Sequence, residues 1–242
     1  MQGEAALSQG QSPCQEHASS ASKRAHSKSG SSLNGSVGAM PRSPRAHVSG
    51  GIFHVTSRGN RGEAIFIDEL TRTRFLQTLE LAIVRSGWRC FAYCLMTNHF
   101  HLVVAMKNPT LSAGMHWLNG CYAQWFNRRH GFKGHLFEER FHAEPVGSEA
   151  HLLELSRYVP LNPVRAGMCA HPADWPWSSY RMMVGLGGPG FASPEPVLAL
   201  FGRRESAARA AYSAFVHDGL RRVREARAQG TVPGTWLDQP KP

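Results

Sequence analysis

Two apolar segments joined by only three residues constrain the fold more than any other feature of this sequence. The first runs from Trp88 to Leu95 and the second begins at His99, with Met96-Thr97-Asn98 between them. Both segments are rich in aromatic, β-branched and other apolar residues, and the second stops before Lys107-Asn108-Pro109, so each is predicted to be a β-strand. Because a connection this short joins adjacent antiparallel strands, the sequence predicts a β-hairpin.

The segments around this hairpin alternate between strand and helix patterns. In order, they predict a strand at 51–57, a helix from an Asp68 cap to Arg85, the two hairpin strands, a helix from Leu111 to about residue 130, an irregular strand at 134–146 and a helix from a Ser148 cap to Asn162, closed by Pro163 and Gly167. This order contains no repeated parallel crossover. It therefore predicts an α+β domain with helices packed against an antiparallel sheet.

Composition divides the 242 residues into four predicted regions. Residues 1–46 are rich in Ser, Gly, Ala and Gln and have almost no large apolar side chains. Such a segment cannot bury enough apolar surface to offset its ordering entropy, so we expect a disordered basic extension, with Met40 as an alternative start. Residues 47–185 form the predicted folded domain, 186–229 a small helical C-terminal appendage and 230–242 a disordered tail.

Helical patterns occur twice within the predicted appendage. They cover residues 196–201 and 205–220, after a glycine-rich joint at 185–190. The stretch 221–227 contains four arginines and is predicted to be a basic tail beyond the last helix.

The net charge is the strongest compositional signal. It is +10 at neutral pH with a pI of about 9.9, which favours a polyanionic partner such as nucleic acid. The alternative is an arginine-rich face that contacts only solvent. No apolar run is long enough to span a membrane, no secretory signal is recognisable, and the five scattered cysteines suit a reducing compartment, so we expect a cytoplasmic protein.

The second hairpin strand begins with a His-apolar-His triplet. On a strand, His99 and His101 project from the same face while Phe100 faces the opposite side. Their Cα atoms would lie about 7 Å apart, which lets two imidazoles converge on one divalent ion. Two ordinary buried histidines would produce the same spacing. A zinc site with Cys90 and Cys94 is a further alternative, although no second cysteine pair completes it.

Several motifs in a fixed order resemble the IS200-like transposase family, in particular its REP-associated tyrosine transposases. They are Arg58-Gly59-Asn60-Arg61, Ala92 to Asn98, His99-Phe100-His101, Gly134-His135-Leu136-Phe137, Arg157-Tyr158, Leu161-Asn162-Pro163-Val164-Arg165-Ala166-Gly167 and Trp177-Ser178-Ser179-Tyr180. Together they cover roughly residues 45–185. The resemblance implies a ferredoxin-like fold, which agrees with the element order above.

The resemblance also implies an activity and a site. It implies a DNA transposase, an endonuclease and strand transferase that cuts and rejoins single-stranded, hairpin-forming DNA through a covalent 5′-phosphotyrosine. Tyr158 matches the nucleophile, His99 and His101 match the metal-binding pair, and Asn162 matches a further polar ligand. Mixed imidazole and oxygen ligands with open positions suit Mg²⁺ or Mn²⁺. A homodimer and association with the nucleoid are implied as well.

Basic side chains on these motifs are candidate DNA contacts, because Lys, Arg and His side chains bind phosphate oxygens. The candidates are Arg58, Arg61, His135, Arg140 and Arg165.

Two departures from the family pattern affect the predicted site. Pro160 lies between Tyr158 and Asn162, where a proline removes a backbone donor and predicts a kink in the helix. Glu138-Glu139 replaces a more usual Gln-Gly and adds negative charge near the expected DNA path.

Two other functions use some of the same residues. A domesticated, non-catalytic module that binds hairpin DNA needs the basic surface but not Tyr158. A relaxase or replication initiator shares the His-apolar-His chemistry, but this chain has no ATPase motif.

Overall fold

The structure is a computed structural model, and it describes residues 50–188 and 190–231. The predictions for residues 1–46 and for 232–242 lie outside the described residues, and the boundary between 185 and 186 stays a prediction. Among the described helices, none is long and apolar enough to cross a membrane.

Four antiparallel strands within this described part of the chain form one sheet in the order β2-β3-β1-β4. Their bounds are β1 Gly51–Arg58, β2 Trp88–Leu95, β3 His99–Met106 and β4 His142–Pro145. The predicted hairpin is formed by β2 and β3, which pair antiparallel. The order along the chain and across the sheet is that of a ferredoxin-like fold, so the predicted fold class is confirmed.

In the described residues, six α-helices accompany the sheet. They are α1 Glu69–Ser86, α2 Leu111–His130, α3 Glu149–Arg165, α4 Tyr180–Met183, α5 Glu195–Leu198 and α6 Glu205–Ala228, with short 3₁₀ turns at Asn60–Gly62, Pro172–Asp174 and Ala199–Phe201. The predicted caps are present, since Asp68 accepts a hydrogen bond from the Thr71 N–H at 2.7 Å and Ser148 accepts one from the His151 N–H at 3.1 Å.

The prediction of a strand over 134–146 is wrong for residues 134–141. Only His142–Pro145 pairs with β1 as a strand. The preceding residues instead bond to the turn after β1: the Glu138 N–H donates to the Arg58 carbonyl at 3.0 Å, and the Leu136 carbonyl accepts from the Asn60 N–H at 2.9 Å. These bonds satisfy the backbone without a regular ladder, so the segment is a loop that lies against the turn.

The sheet separates two hydrophobic layers. Helices α1 and α2 cover one face and helices α3 and α6 cover the other. Phe100 belongs to the α1 and α2 layer, whereas Val103 belongs to the α3 and α6 layer. Because side chains alternate along a strand, His99 and His101 share the face of Val103. The strand therefore presents both histidines toward α3.

Helix α3 continues through Pro160 to Arg165, beyond its predicted end near Asn162. A proline at this position leaves the carbonyl of Ser156 without its helical donor. The hydroxyl of Tyr212, on α6, donates to that carbonyl at 2.9 Å. A distant side chain thus replaces the missing backbone bond.

Replacing Tyr212 with Phe is expected to lower the free energy of unfolding by about 1–3 kcal/mol, the usual cost of leaving a buried acceptor unsatisfied. Tyr212 is almost fully buried, and the change removes only its hydroxyl. Denaturant unfolding would measure the difference, and amide exchange in α3 should accelerate. An unchanged free energy of unfolding would contradict the role assigned to this hydrogen bond.

Helix α6 extends to Ala228, beyond its predicted end at residue 220. The predicted basic tail at 221–227 is therefore helical. Val223 is buried against the α3 layer, and the Arg227 guanidinium donates to the Val164 carbonyl at 3.0 Å. Arginines near the last carbonyls of a helix are stabilising, so the basic residues that suggested a tail instead hold α6 to the end of α3.

Candidate active site

The two histidines of the triplet lie side by side at the start of β3. Their ring centroids are 5.1 Å apart, and both side chains are buried. In the register of the sheet, Arg58 is opposite His99 and Thr56 is opposite His101. The end of β1 and the turn after it therefore lie next to the pair.

A hydrogen bond fixes the tautomer of His99. The Asn98 side chain donates through Nδ2 to the Gly62 carbonyl at 2.9 Å, which leaves its Oδ1 as an acceptor 2.7 Å from His99 Nδ1. Nδ1 must then carry the proton, and Nε2 keeps the lone pair. A second residue that fixes the ring and its tautomer in this way is typical of metal-binding histidines.

His54 on β1 plays the corresponding part for His101. Its Nε2 lies 3.0 Å from His101 Nδ1, and the two rings stack with centroids 5.3 Å apart. The sequence analysis did not identify His54. The available signal was a histidine within the apolar strand Ile52-Phe53-His54-Val55, but its partner is 47 residues away.

Burial favours the neutral form of two of these imidazoles, those of His101 and His54, by lowering the pKa of each. It lowers the pKa of His101 well below its usual range, and the charges of His99 and His54 act in the same direction. Burial also lowers the pKa of His54 to about 4, helped by His142 and His151. Neutral imidazole is the form that binds a metal ion, so the lowered pKa keeps His101 able to coordinate one.

Helix α3 brings Tyr158 to the histidines and also carries Asn162. The Tyr158 ring meets His101 edge to face, with ring centroids 5.7 Å apart, and meets His54 at 6.1 Å. Tyr158 is half-buried and borders a cavity. Asn162 is fully buried one turn further along the same helix.

Backbone hydrogen bonds orient the Asn162 amide. Its Nδ2 donates to the carbonyls of Tyr158 at 3.0 Å and Val159 at 3.3 Å. Pro163 cannot donate to the Val159 carbonyl, so the side chain replaces that bond. With the nitrogen committed to the helix, Oδ1 is the amide atom left to accept from a ligand.

Two buried polar atoms of these residues indicate whether the site suits a metal ion. His101 Nε2 and Asn162 Oδ1 are both buried, and neither has a hydrogen-bond partner. Buried polar atoms are nearly always satisfied, and an imidazole nitrogen with an amide oxygen suits Mn²⁺ or Mg²⁺. The residues therefore fit such an ion. No cluster of three or more His, Cys, Asp and Glu side chains in the described residues could hold a metal, so the candidate set is two histidines and an amide.

The fold rules out a zinc site formed by Cys90 and Cys94. Cys90 lies in the α1 and α2 layer and Cys94 in the α3 and α6 layer, on opposite faces of the sheet. Burial raises the pKa of Cys90 to about 12 and that of Cys94 well above its usual range, which opposes the thiolate form that zinc requires.

The candidate DNA contacts form two groups. Arg58, Arg61, His135 and Arg140 lie on the end of β1, the turn after it and the loop that bonds to this turn, close to His99. Arg61, His135 and Arg140 are exposed.

The fifth candidate, Arg165, lies apart from them at the end of α3. Its guanidinium carbon is 5.2 Å from the centre of the Tyr158 ring. Burial lowers the pKa of Arg165, but a guanidinium stays charged at neutral pH.

The family comparison agrees with the fold. Residues 47–162 match the family model described as "Transposase IS200 like". This region of the chain therefore forms an IS200-like transposase domain, as the motif resemblance predicted, and the family supports a DNA-processing enzyme.

Solved structures and curated proteins complete the comparison. A structure described as the REP-associated tyrosine transposase bound to a REP hairpin is similar with a TM-score of 0.52 and 15% identity, over 64% of this chain and 98% of that chain. A candidate transposase from Deinococcus radiodurans gives a TM-score of 0.35 and 15% identity, over 49% of this chain and 95% of that chain. No curated protein matches the chain significantly.

Proposed function

We propose that this protein is a metal-dependent tyrosine transposase that cuts and rejoins single-stranded, hairpin-forming DNA. One observation carries the proposal: the Tyr158 ring is against His101, and the buried Asn162 amide lies one turn away on the same helix. The contact between Tyr158 and the candidate ligand His101 lies within a single chain, which supports the proposal. The similar solved structure, whose description names a REP hairpin, supports hairpin DNA as the substrate.

In the proposed reaction, the Tyr158 oxygen attacks the scissile phosphorus in line with the leaving oxygen. The new bond joins the tyrosine oxygen to phosphorus, the bond from phosphorus to the 3′ oxygen breaks, and a free 3′-hydroxyl leaves. The product is a 5′-phosphotyrosine. Attack by a 3′-hydroxyl on this linkage reverses the chemistry and rejoins DNA, while the tyrosine regains its proton.

The side chains around Tyr158 supply what a phenol needs to act as a nucleophile. A phenol has a reference pKa of about 10, so it is mostly neutral at physiological pH and its developing charge must be stabilised. Arg165 places a permanent positive charge over the ring and limits its movement. Mg²⁺ or Mn²⁺ held by His99, His101 and Asn162 would polarise the scissile phosphate.

The basic residues near His99 hold the substrate in this mechanism. Arg58, Arg61, His135 and Arg140 lie together around the turn after β1 and offer positive charge to the DNA backbone. Glu138-Glu139 lies on the same loop, so the substrate must approach from the arginine side of that loop.

Replacing Tyr158 with Phe tests the proposal. We expect the variant to form no denaturation-resistant adduct with a labelled single-stranded hairpin in Mn²⁺, and cleavage to fall at least ~10³-fold. Tyr180→Phe is the control, because Tyr180 is a buried tyrosine of α4 outside the site. Cleavage by Tyr158→Phe at the wild-type rate would refute the nucleophile, and hairpin binding without any wild-type adduct would favour the non-catalytic module.

A further inference from the structure

A cavity of about 560 Å³ opens beside Tyr158. Helix α3 forms one wall and helix α6 forms another, with His54 of β1 and Glu144 of β4 at the sheet. Its volume falls within the ~300–1,000 Å³ typical of sites that bind small organic groups. Helix α6 lies beyond the residues matched by the family model, so this wall is an addition to the matched domain.

Three guanidinium groups line this cavity. Arg157 and Arg165 come from α3 and Arg222 comes from α6. Of the two carboxylates that also line it, Glu154 is already paired with Arg157 at 2.6 Å. The surplus of positive charge beside the nucleophile suits a phosphate group.

Asp218 on α6 holds two of these arginines in place. Its carboxylate lies 3.6 Å from Arg157 and 2.9 Å from Arg222. The same carboxylate also contacts Arg221 at 2.7 Å, but Arg221 does not line the cavity. Arg221 and Arg222 therefore share the Asp218 carboxylate, but only Arg222 lines the cavity.

Close contact between the helices sets the position of the α6 wall. A Cβ atom added to Gly219 would lie 2.6 Å from Arg157 Cδ and 2.8 Å from Leu161 Cδ1. Any larger residue at this position would force the Arg157 and Leu161 side chains to move. The wall that carries Arg222 is thus fixed against the helix that carries Tyr158.

We infer that this cavity binds an unpaired nucleotide next to the scissile phosphate, with Arg222 contacting the phosphate of that nucleotide. The inference rests on the proposed function, which places the scissile phosphate at Tyr158. A base stacked and paired in a duplex cannot enter a cavity of this size, so the occupant is a single-stranded residue. Helix α6 then extends DNA recognition beyond the family domain.

Binding measurements in the Tyr158→Phe background test this inference without any cleavage. The probes are a fluorescent DNA hairpin with a single-stranded flank and the same hairpin without the flank. Arg222→Ala should weaken binding of the flanked hairpin about 10-fold. It should also lower the slope of log binding constant against log salt concentration by about one, because one phosphate contact is lost. Binding of the flankless hairpin should change little. Arg222→Lys should retain most of the affinity.

Arg221→Ala is the matched control. Both arginines belong to α6, both pair with Asp218, and both side chains are 65% exposed. We expect Arg221→Ala to bind both probes like its parent. Equal losses in the two alanine variants, or equal losses by Arg222→Ala on both probes, would overturn the inference. Failure of the proposed function is seen separately, as Tyr158-independent cleavage or no cleavage by the wild-type protein.

Discussion

Replacing His101 with Ala is expected to lower metal-dependent cleavage of hairpin DNA by ~10²-fold or more. The change removes a candidate metal ligand and also the ring against which Tyr158 packs. Loss of residues that only support a ligand typically costs 10- to 100-fold in metal affinity or activity, and loss of the ligand itself should cost at least as much. Cleavage rates across a Mn²⁺ titration, together with Mn²⁺ binding by calorimetry, would measure both effects.

His116→Ala is the control for this experiment. His116 is an exposed residue of α2, on the opposite side of the sheet from α3. Its replacement should leave both the cleavage rate and Mn²⁺ binding unchanged. If His101→Ala bound Mn²⁺ and cut DNA like the wild-type protein, the candidate metal site would be wrong.

Mixing the Tyr158→Phe and His101→Ala variants is expected to restore no cleavage. Tyr158 and His101 contact each other within one chain, so a protein that lacks either residue has no complete site. The family resemblance implied a homodimer, in which active-site parts can be shared. A shared site would instead regain activity in the mixture, because each mixed dimer would combine an intact Tyr158 with an intact His101.

Recovery in the mixture would therefore contradict a site built from one chain. Each variant mixed with wild-type protein provides the control, since neither mixture should fall below the activity of the wild-type portion. Adduct formation on hairpins of two lengths would show which protein carries the covalent linkage.

Local spacing explains which parts of the site the sequence could predict. His99 and His101 share a face because strands repeat every two residues, and Tyr158 and Asn162 share a helix face because they are four apart. The predicted hairpin likewise needed only three connecting residues. These features depend on neighbours in the chain, so periodicity and motif order were sufficient.

The parts that were missed depend on contacts between distant segments. His54 meets His101 through the register of β1 and β3, which no local pattern specifies. The donor that replaces the one lost at Pro160, the Tyr212 hydroxyl, is 56 residues from the carbonyl it reaches, so no local pattern could identify it. The stretch 221–227 looked like a tail because the distant acceptors of its later arginines are visible only in the folded chain. Arg224 donates to the Ala170 carbonyl and Arg227 to the Val164 carbonyl.

The hydrogen bonds from α6 to α3 also have a consequence for the order of events during translation. Helix α3, with Tyr158 and Asn162, leaves the ribosome before Tyr212 and Arg227, which supply donors to its carbonyls. A nascent chain that ends before α6 must leave the Ser156 carbonyl to solvent. The helix that carries the candidate nucleophile is thus completed late, because two of its carbonyls gain these donors only once the C-terminal helix has been made.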